Sequence, residues 1–208
     1  MTALIDRLRS ELRHTRESER RMVDLGLPEQ AREALALQDL SRLQAAAVLV
    51  PIVARLPEPT LLLTQRSDRL RRHAGQIAFP GGRADPDDRG PRDTALRETE
   101  EEIGVARGQV EVIGYLDDYP TVTGFRVTPV VGLLSPDAHY APDGQEVVEV
   151  FEVPLQFVLD KANYQREVFK RDGMEVPYHA VPFGERYIWG ATAAMLKHLQ
   201  ERLEGHAG

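Results

Sequence analysis

The chain has 208 residues, 42% of them hydrophobic, and 33 acidic against 26 basic residues give it a formal net charge of −7. This length and composition can bury one good core without a second domain. The acidic balance argues against a general nucleic-acid binder, which needs a broad basic surface, and the lack of cysteine excludes disulfides and thiolate zinc sites.

The N-terminal segment and the longest apolar run indicate where the protein resides. Residues 1–20 are charged and amphipathic and contain no apolar stretch of a signal peptide. The longest apolar run, residues 45–54, is too short to span a bilayer and contains Pro51. We therefore expect a cytoplasmic protein without a membrane partner.

Helical periodicity marks residues 1–44, which we predict to be a helical extension of one larger domain, residues 45–208. Leu4, Leu8 and Leu12 form one apolar stripe at helical spacing. Pro28 suits the first turn of a second helix, whose stripe consists of Ala31, Leu35, Leu37 and Leu40. We expect two helices that pack on the main domain or on a partner subunit.

From residue 45 the sequence changes to short segments typical of strands. The predicted strands cover residues 46–53, 60–65, 75–79, 109–117, 127–134 and 147–152. Residues 164–183 predict a late hairpin with Asp172-Gly173 at its turn, and Trp189-Gly190 opens a closing helix to about Leu203. Strands and helices in this order favour an α/β (α+β) sandwich.

Four glutamates lie within five positions near the end of a predicted helix. Glu98, Glu101 and Glu102 share one helical face, at spacings i, i+3 and i+4. Like charges repel at these spacings, and the helix dipole disfavours acid in the last turn before Gly104. A hard divalent cation bound through oxygen would compensate both effects. For a bare cluster, a solvated acidic face is the alternative.

An arginine-rich segment leads into the glycine pair that precedes this helix. Four of the seven residues from Arg66 to Arg72 are arginines, in a chain that is acidic overall. Arginine suits bidentate phosphate contacts, and Gly81-Gly82 would let the backbone approach a metal or phosphate closely. The segment predicts a clamp for a polyanion, although such a cluster alone could equally be a basic surface loop.

The pattern Arg97-Glu98-x-x-Glu101-Glu102-x-Gly104-Val105, preceded by Gly-Gly, resembles the Nudix box of nucleoside-diphosphate-X hydrolases. The match requires Gly82 as the box glycine, Asp88 in place of the intermediate glutamate, and one inserted residue. Upstream, residues 62–82 contain Leu-Leu-Thr-x-Arg-Ser, then a spaced Arg and Gly, then Phe-Pro-Gly-Gly. This segment resembles the signature of the coenzyme A pyrophosphatase branch at every specified position.

The resemblance implies a Nudix-type α/β/α sandwich with a mixed sheet. It also implies that coenzyme A or a derivative is cut to 3′,5′-ADP and 4′-phosphopantetheine, or its acylated form, with Mg²⁺ or Mn²⁺ as cofactor. The implied metal ligands are Glu98, Glu101, Glu102 and Gly82, and the implied catalytic residues are Glu101, Arg97, which orients Glu101, and Glu146, a base or extra ligand. The implied substrate-binding residues are Arg66, Arg71, Gly75, Phe79 and Gly81.

Two other functions stay open at this point. One is a Nudix pyrophosphatase for another substrate such as ADP-ribose or NADH, against which the upstream signature argues. The other is a catalytically silent nucleotide-binding module, against which the intact glutamate trio argues. We expect a small-molecule substrate and no nucleic-acid partner, and assembly into a homodimer is left open. For Tyr187 and Trp189, packing in the core or at the helix entry is favoured over stacking on an adenine.

Overall fold

The computed structural model describes residues 3–27, 29–34, 37, 39–171 and 174–205. Its strands are β1 (Gln44–Val53), β2 (Thr60–Arg66), β3 (Ile77–Ala78), β4 (Gly81–Arg83), β5 (Val110–Tyr115), β6 (Tyr119–Pro120), β7 (Phe125–Leu134), β8 (Val147–Pro154), β9 (Gln165–Arg171), β10 (Met174–Phe183) and β11 (Arg186–Trp189). Its α-helices are α1 (Ala3–Leu12), α2 (Glu29–Ala34), α3 (Pro91–Ile103), α4 (Leu155–Leu159) and α5 (Gly190–Glu204).

The main sheet is mixed, as the family resemblance implies. Its order is β3-β2-β1-β7-β5, with β4 paired to β1, β6 to β7 and β8 to β2. β1 and β7 run parallel from Gln44 opposite Phe125 to Val53 opposite Leu134, while the other described strand pairs are antiparallel. A second, antiparallel sheet has the order β11-β10-β9. The predicted α+β fold class is confirmed.

The central strand β1 is apolar on both faces because helices cover both. Its side chains alternate between the faces. Val50 and Ile52 enter a core shared with α1, α4 and α5, whereas Leu49 and Val53 enter a core shared with α3. The sheet therefore lies between helical layers, with α3 on one side and α1, α4 and α5 on the other.

The N-terminal region is helical only in part. α1 is confirmed, but its buried stripe is Ile5, Leu8 and Leu12, with Leu4 partly buried. The second helix is shorter than predicted: α2 ends at Ala34, Leu37 lies outside it, and Leu40 is exposed in a 3₁₀ turn.

Pro28, Leu35 and the side chain of Ala31 lie outside the described residues. Leu37 packs with Leu27 of its own segment and with Val176 of β10. The N-terminal region thus packs on the rest of the chain, and the division between residues 44 and 45 stays a prediction.

The six predicted strands of the main sheet appear as β1, β2, β3, β5, β7 and β8, with ends shifted by a few residues. The late hairpin consists of β9 and β10, with Arg171 opposite Met174; its predicted turn, Asp172-Gly173, lies outside the described residues. The sequence did not predict β4, β6, β11 or α4. These elements are two to five residues long, too short for a periodic signal.

The closing helix is confirmed as α5. It follows Trp189, ends at a left-handed Gly205, and buries Leu196, Leu199 and Leu203 against the sheet. Across the described residues, no helix has both the length and the apolar character needed to cross a membrane.

Candidate functional site

Helix α3 carries the glutamates and is fixed at both ends. It begins at Pro91, where a missing N–H costs no helical hydrogen bond, and it ends at Gly104, which adopts the left-handed conformation and donates its N–H to the Glu100 carbonyl. Its apolar residues Ala95 and Ile103 lie in the core below. This packing places another edge of the helix, with Glu98 and Glu102, against β4.

The glycine pair of β4 receives these two carboxylates. The Gly81 N–H donates to Glu102 Oε2 at 3.0 Å. A Cβ on Gly82 would lie 2.5 Å from Glu98 Oε2, and a Cβ on Gly81, whose φ is 148°, would collide with the Ala47 carbonyl oxygen. Gly81 is therefore required for the close approach of β4 to β1, whereas a side chain at position 82 would displace the Glu98 carboxylate.

Burial makes Glu102 an unusual carboxylate. The residue is only 5% exposed, and this burial, together with the charges of Glu98 and Glu146, raises the pKa of Glu102 to about 7. The Gly81 N–H and Arg66 oppose that rise. Burial also raises the pKa of Glu98, against the opposing effect of Arg97. Carboxylates placed in this way are stabilised by a nearby cation.

Arg97 organises the box by bonding to several acceptors at once. Its Nη1 donates to Glu98 Oε1 at 2.9 Å and to Glu101 Oε2 at 3.2 Å. Its Nε and Nη2 bind the two carboxylate oxygens of Asp88 at 3.1 and 3.0 Å, and Nη2 also reaches the Arg83 carbonyl. The i,i+4 contact with Glu101 has the predicted geometry, but it is one of several.

Asp88 joins the loop before α3 to the helix. It accepts hydrogen bonds from Arg97, from the Asp85 N–H at 2.9 Å and from the Thr94 hydroxyl at 2.8 Å. The bonds from Arg97 are the largest cause that lowers the pKa of Asp88 to about 2. At the position that aligns with the intermediate glutamate of the box, this chain therefore has a structural carboxylate.

Arg66, a residue of the upstream signature, lies beside Glu102 and Glu146. Its Nη1 lies 3.6 Å from Glu102 Oε1, and its Nη2 lies 3.4 Å from Glu146 Oε2. The loop with Glu146 is held by the Ser67 N–H, which donates to the Glu146 carbonyl at 2.8 Å. Asp143 accepts from the Glu146 N–H at 3.1 Å. These hydrogen bonds to the Glu146 loop were not predicted from the sequence, although the Asp143-Gly144 turn chemistry is a signal for them.

Three further predicted substrate residues, Arg71, Gly75 and Phe79, have different surroundings. Arg71 is exposed and forms no hydrogen bond or ion pair with a residue that the structure describes. Gly75, with a φ of 67°, closes the loop where a Cβ would meet Asp68 Oδ1. Phe79 is buried in the core, a placement that favours packing over the predicted substrate contact.

Tyr187 and Trp189 lie on the second sheet with exposed rings. Trp189 directly precedes α5, as predicted, and its ring packs edge-on against Tyr178 with centroids 5.7 Å apart. Ile188 between them fills the core. Neither ring is buried in the core, because strand alternation directs residues 187 and 189 to the face opposite Ile188. Trp189 lies at the helix entry, the other placement that the sequence favours.

The donor chemistry of the site fits a hard divalent cation. Glu98, Glu101, Glu102 and Glu146 offer oxygen ligands, the type that Mg²⁺ and Mn²⁺ prefer. Within the described part of the chain, no three Asp, Glu or His side chains stand together as a ready metal cluster. The glutamates instead face Arg66 and Arg97, which supply the positive charge in this arrangement.

The chain is similar in sequence to known proteins. A family model described as "NUDIX domain" matches residues 43–172. The "Uncharacterized Nudix hydrolase NudL" of Yersinia pestis (strain Pestoides F) is 44% identical over 158 residues, which cover 76% of this chain and 79% of that protein. The protein of the same name from Yersinia pseudotuberculosis serotype O:1b (strain IP 31758) gives the same values.

Two solved structures also align with parts of the chain. The NUDIX hydrolase from Alicyclobacillus acidocaldarius aligns with a TM-score of 0.47 at 21% identity, over 76% of this chain and 90% of that one. The NUDIX domain of Shewanella oneidensis NrtR, solved in complex with ADP ribose, aligns with a TM-score of 0.44 at 22% identity, over 64% and 87% of the two chains.

Proposed function

Since the chain belongs to the Nudix family and is a Nudix hydrolase of nucleoside diphosphate derivatives, we propose that its substrate is coenzyme A or a coenzyme A derivative. The products are 3′,5′-ADP and 4′-phosphopantetheine, or its acylated form. One observation carries the proposal: Arg66, a fixed residue of the upstream signature, contacts both Glu102 of the box and Glu146. Signature and box thus contribute to one site.

The box glutamates are the proposed cation ligands. Mg²⁺ or Mn²⁺ held by Glu98, Glu101, Glu102 and the Gly82 carbonyl would supply charge that neutralises the pyrophosphate and lowers the pKa of an attacking water. Glu98 and Glu102 face β4, whereas Glu101, with 60% of its side chain exposed, lies at the rim. Arg97 orients Glu98 and Glu101 through the shared Nη1 donor.

Arginines provide the proposed phosphate contacts. Arg66 reaches the glutamates from β2, and Arg71 is exposed in the loop that follows. A guanidinium binds phosphate oxygens in a fork geometry, and this positions the pyrophosphate for in-line displacement. Gly81 lets β4 approach β1 closely, and Gly75 adopts the positive φ that the loop after β2 requires.

Glu146 is the proposed general base. Its backbone is fixed by Ser67 and Asp143, while its side chain is exposed and can exchange a proton with solvent. If it acts only in the transition state, Glu146→Gln lowers kcat more than KM. Steady-state kinetics on coenzyme A measure this split. An unchanged kcat would return the base role to the box glutamates.

A substrate panel tests the proposed function. The protein is incubated with coenzyme A, ADP-ribose or NADH, each with Mg²⁺, with Mn²⁺ or with a chelator, and the products are identified by mass. We expect 3′,5′-ADP and 4′-phosphopantetheine from coenzyme A with either metal and no products with the chelator. Preferential cleavage of ADP-ribose or NADH would refute the substrate assignment. A lack of cleavage of all three would also refute the coenzyme A assignment and would leave the silent binding module as an alternative beside other nucleoside diphosphate derivatives.

A further inference from the structure

Arg66 combines a fixed backbone with a loosely held side chain. Its N–H donates to the Gln76 carbonyl at 2.9 Å, at a point where the register between β2 and β8 shifts. Its guanidinium, by contrast, meets Glu102 and Glu146 at 3.6 and 3.4 Å, longer than the usual 2.7–2.9 Å of charge-assisted hydrogen bonds. The backbone of Arg66 is therefore fixed, whereas its guanidinium is weakly bound.

The Arg66 Nε is also without a partner. Among the described residues, it is one of two buried side-chain nitrogens that lack a hydrogen bond, the other being Gln200 Nε2. Buried donors are nearly always satisfied, and exceptions in native proteins often reflect a functional state. The guanidinium thus lies beside the two carboxylates but leaves its Nε donor without an acceptor.

The two carboxylates that Arg66 bridges come from separate elements. Glu102 lies on α3, and Glu146 lies in the loop before β8. One oxygen of Glu102 takes the Gly81 N–H, so the oxygen facing Arg66 is the one left for a cation. Arg66 is the basic side chain that neutralises this otherwise buried charge.

We propose that Arg66 is a placeholder cation, which neutralises Glu102 and Glu146 in the metal-free enzyme and gives up these carboxylates when the divalent ion is bound. The inference rests on the proposed metal-dependent function. A divalent ion coordinates carboxylate oxygens at about 2.0–2.6 Å, so a guanidinium beside the same oxygens faces strong like-charge repulsion. Once released, the guanidinium can turn about its fixed backbone and pair all its donors, Nε included, with substrate phosphate oxygens.

Manganese binding in the absence of substrate tests the proposal directly. Free Mn²⁺ is quantified by electron paramagnetic resonance for the full chain and for Arg66→Gln, Arg66→Lys and Arg107→Gln. Arg107 is a matched control, because it forms an equally long ion pair, 3.4 Å to Glu100 near the end of the same helix, and both partners are exposed. Arg66→Lys keeps a positive charge at the site, so it can still be measured if Arg66→Gln does not fold.

If Arg66 competes with the metal, Arg66→Gln binds Mn²⁺ about tenfold more tightly than the unchanged protein, because one full charge no longer opposes the ion. Arg66→Lys and Arg107→Gln stay within about twofold. Equal or weaker Mn²⁺ binding by Arg66→Gln would overturn the placeholder role and leave the metal site intact. A lack of Mn²⁺ binding by the unchanged protein would overturn the metal site and the inference with it.

Arginine-specific NMR gives a second readout that does not depend on affinity. The Nε–H resonance of Arg66 is identified by its loss in Arg66→Gln. It should shift when Mg²⁺ is added and shift again when inorganic pyrophosphate follows, because the guanidinium first leaves the glutamates and then meets phosphate oxygens. A resonance that stays unchanged through both additions would show that Arg66 remains paired with Glu102 and Glu146, which contradicts the proposal.

Discussion

The carboxylate of Glu102 is almost fully buried and is affected by the charges of Glu98 and Glu146. Its partners are the Gly81 N–H and the weakly bound guanidinium of Arg66. A buried carboxylate of this kind lowers the stability of the metal-free fold. The same placement leaves an oxygen ligand already dehydrated for a cation. Glu102 therefore links the stability of the metal-free protein to its proposed metal binding.

Replacement of Glu102 by glutamine should separate these two effects. The pKa of Glu102 is about 7 in the folded protein, above its ordinary value of 4.5, so the native state binds the extra proton. The metal-free protein thus loses stability as pH rises from about 4.5 to 7, and the full penalty applies above pH 7. Glu102→Gln should raise the unfolding free energy by about 1–3 kcal/mol at pH 8 and change it little at pH 4.

Urea unfolding with chelator at both pH values measures this effect, and turnover of coenzyme A with Mg²⁺ is measured in parallel. Turnover should fall by orders of magnitude although the fold is more stable. Glu101→Gln is the matched control, because its exposed carboxylate has no burial penalty to relieve. If Glu102→Gln proved no more stable than the unchanged protein at pH 8, the carboxylate would not be destabilising.

Arg71 should contribute to substrate selectivity. Coenzyme A carries a 3′-phosphate that 3′-dephospho-coenzyme A lacks, and Arg71 is an exposed guanidinium whose donors are available. Loss of a charge-assisted contact costs about 1.5–3 kcal/mol, so Arg71→Ala should lower kcat/KM for coenzyme A by roughly tenfold to a hundredfold. The loss on 3′-dephospho-coenzyme A should be much smaller. Arg72→Ala, at a neighbouring exposed arginine, is the control. If Arg71→Ala lost kcat/KM equally on both substrates, Arg71 would contact the pyrophosphate or stabilise the loop instead of binding the 3′-phosphate.

At the scale of elements, α3 was predictable and β4 was not. The spacing of Glu98, Glu101 and Glu102 places them on one helical face whatever surrounds the helix. β4 has three residues and exists because Gly81-Gly82 pairs with Ala47 and Val48 of β1. Such a strand depends on its tertiary partner and leaves no periodic signal. The role of Asp88 also depends on a tertiary partner. The alignment with the box gives the position of Asp88 in the sequence but not its hydrogen bonds to Arg97.

The loop before α3 should lose its anchor when Asp88 is changed. The pKa of Asp88 is about 2 in the folded protein, below its ordinary 3.8, so its stabilisation is present above pH 3.8 and is lost as pH falls toward 2. Asp88→Asn should lower the unfolding free energy by about 1–3 kcal/mol at pH 7. Chemical unfolding at pH 7 and at pH 2.5 measures both, and the deficit should shrink at the lower pH.

Asp87→Asn is the neighbouring control for that experiment, because Asp87 is exposed and should change stability by less than about 0.5 kcal/mol. An undiminished deficit of Asp88→Asn at pH 2.5 would show that the lost interaction is not the ionised contact with Arg97.

At the scale of the molecule, the folding unit is larger than the matched family domain. Residues 43–172 match the family model, yet α1 and α5 lie outside this range and bury side chains in the core of the main sheet. The sequence predicts both helices because their periodicity is local. It does not predict that Leu27 and Leu37 pack against Val176 of the second sheet, because these residues come from distant parts of the chain.

Leu8 tests whether the N-terminal region is a separable extension or part of the main core. It is fully buried between α1 and the sheet, so Leu8→Ala should remove about 2–5 kcal/mol from the unfolding free energy. Exposed Leu40 in the same region provides the control, and Leu40→Ala should cost less than about 0.5 kcal/mol. Urea unfolding followed by far-ultraviolet circular dichroism and by the fluorescence of Trp189, far along the chain, measures both. If α1 belongs to the core, the two signals shift together in Leu8→Ala. An unchanged Trp189 transition would show that α1 unfolds separately and that residues 1–44 are an extension after all.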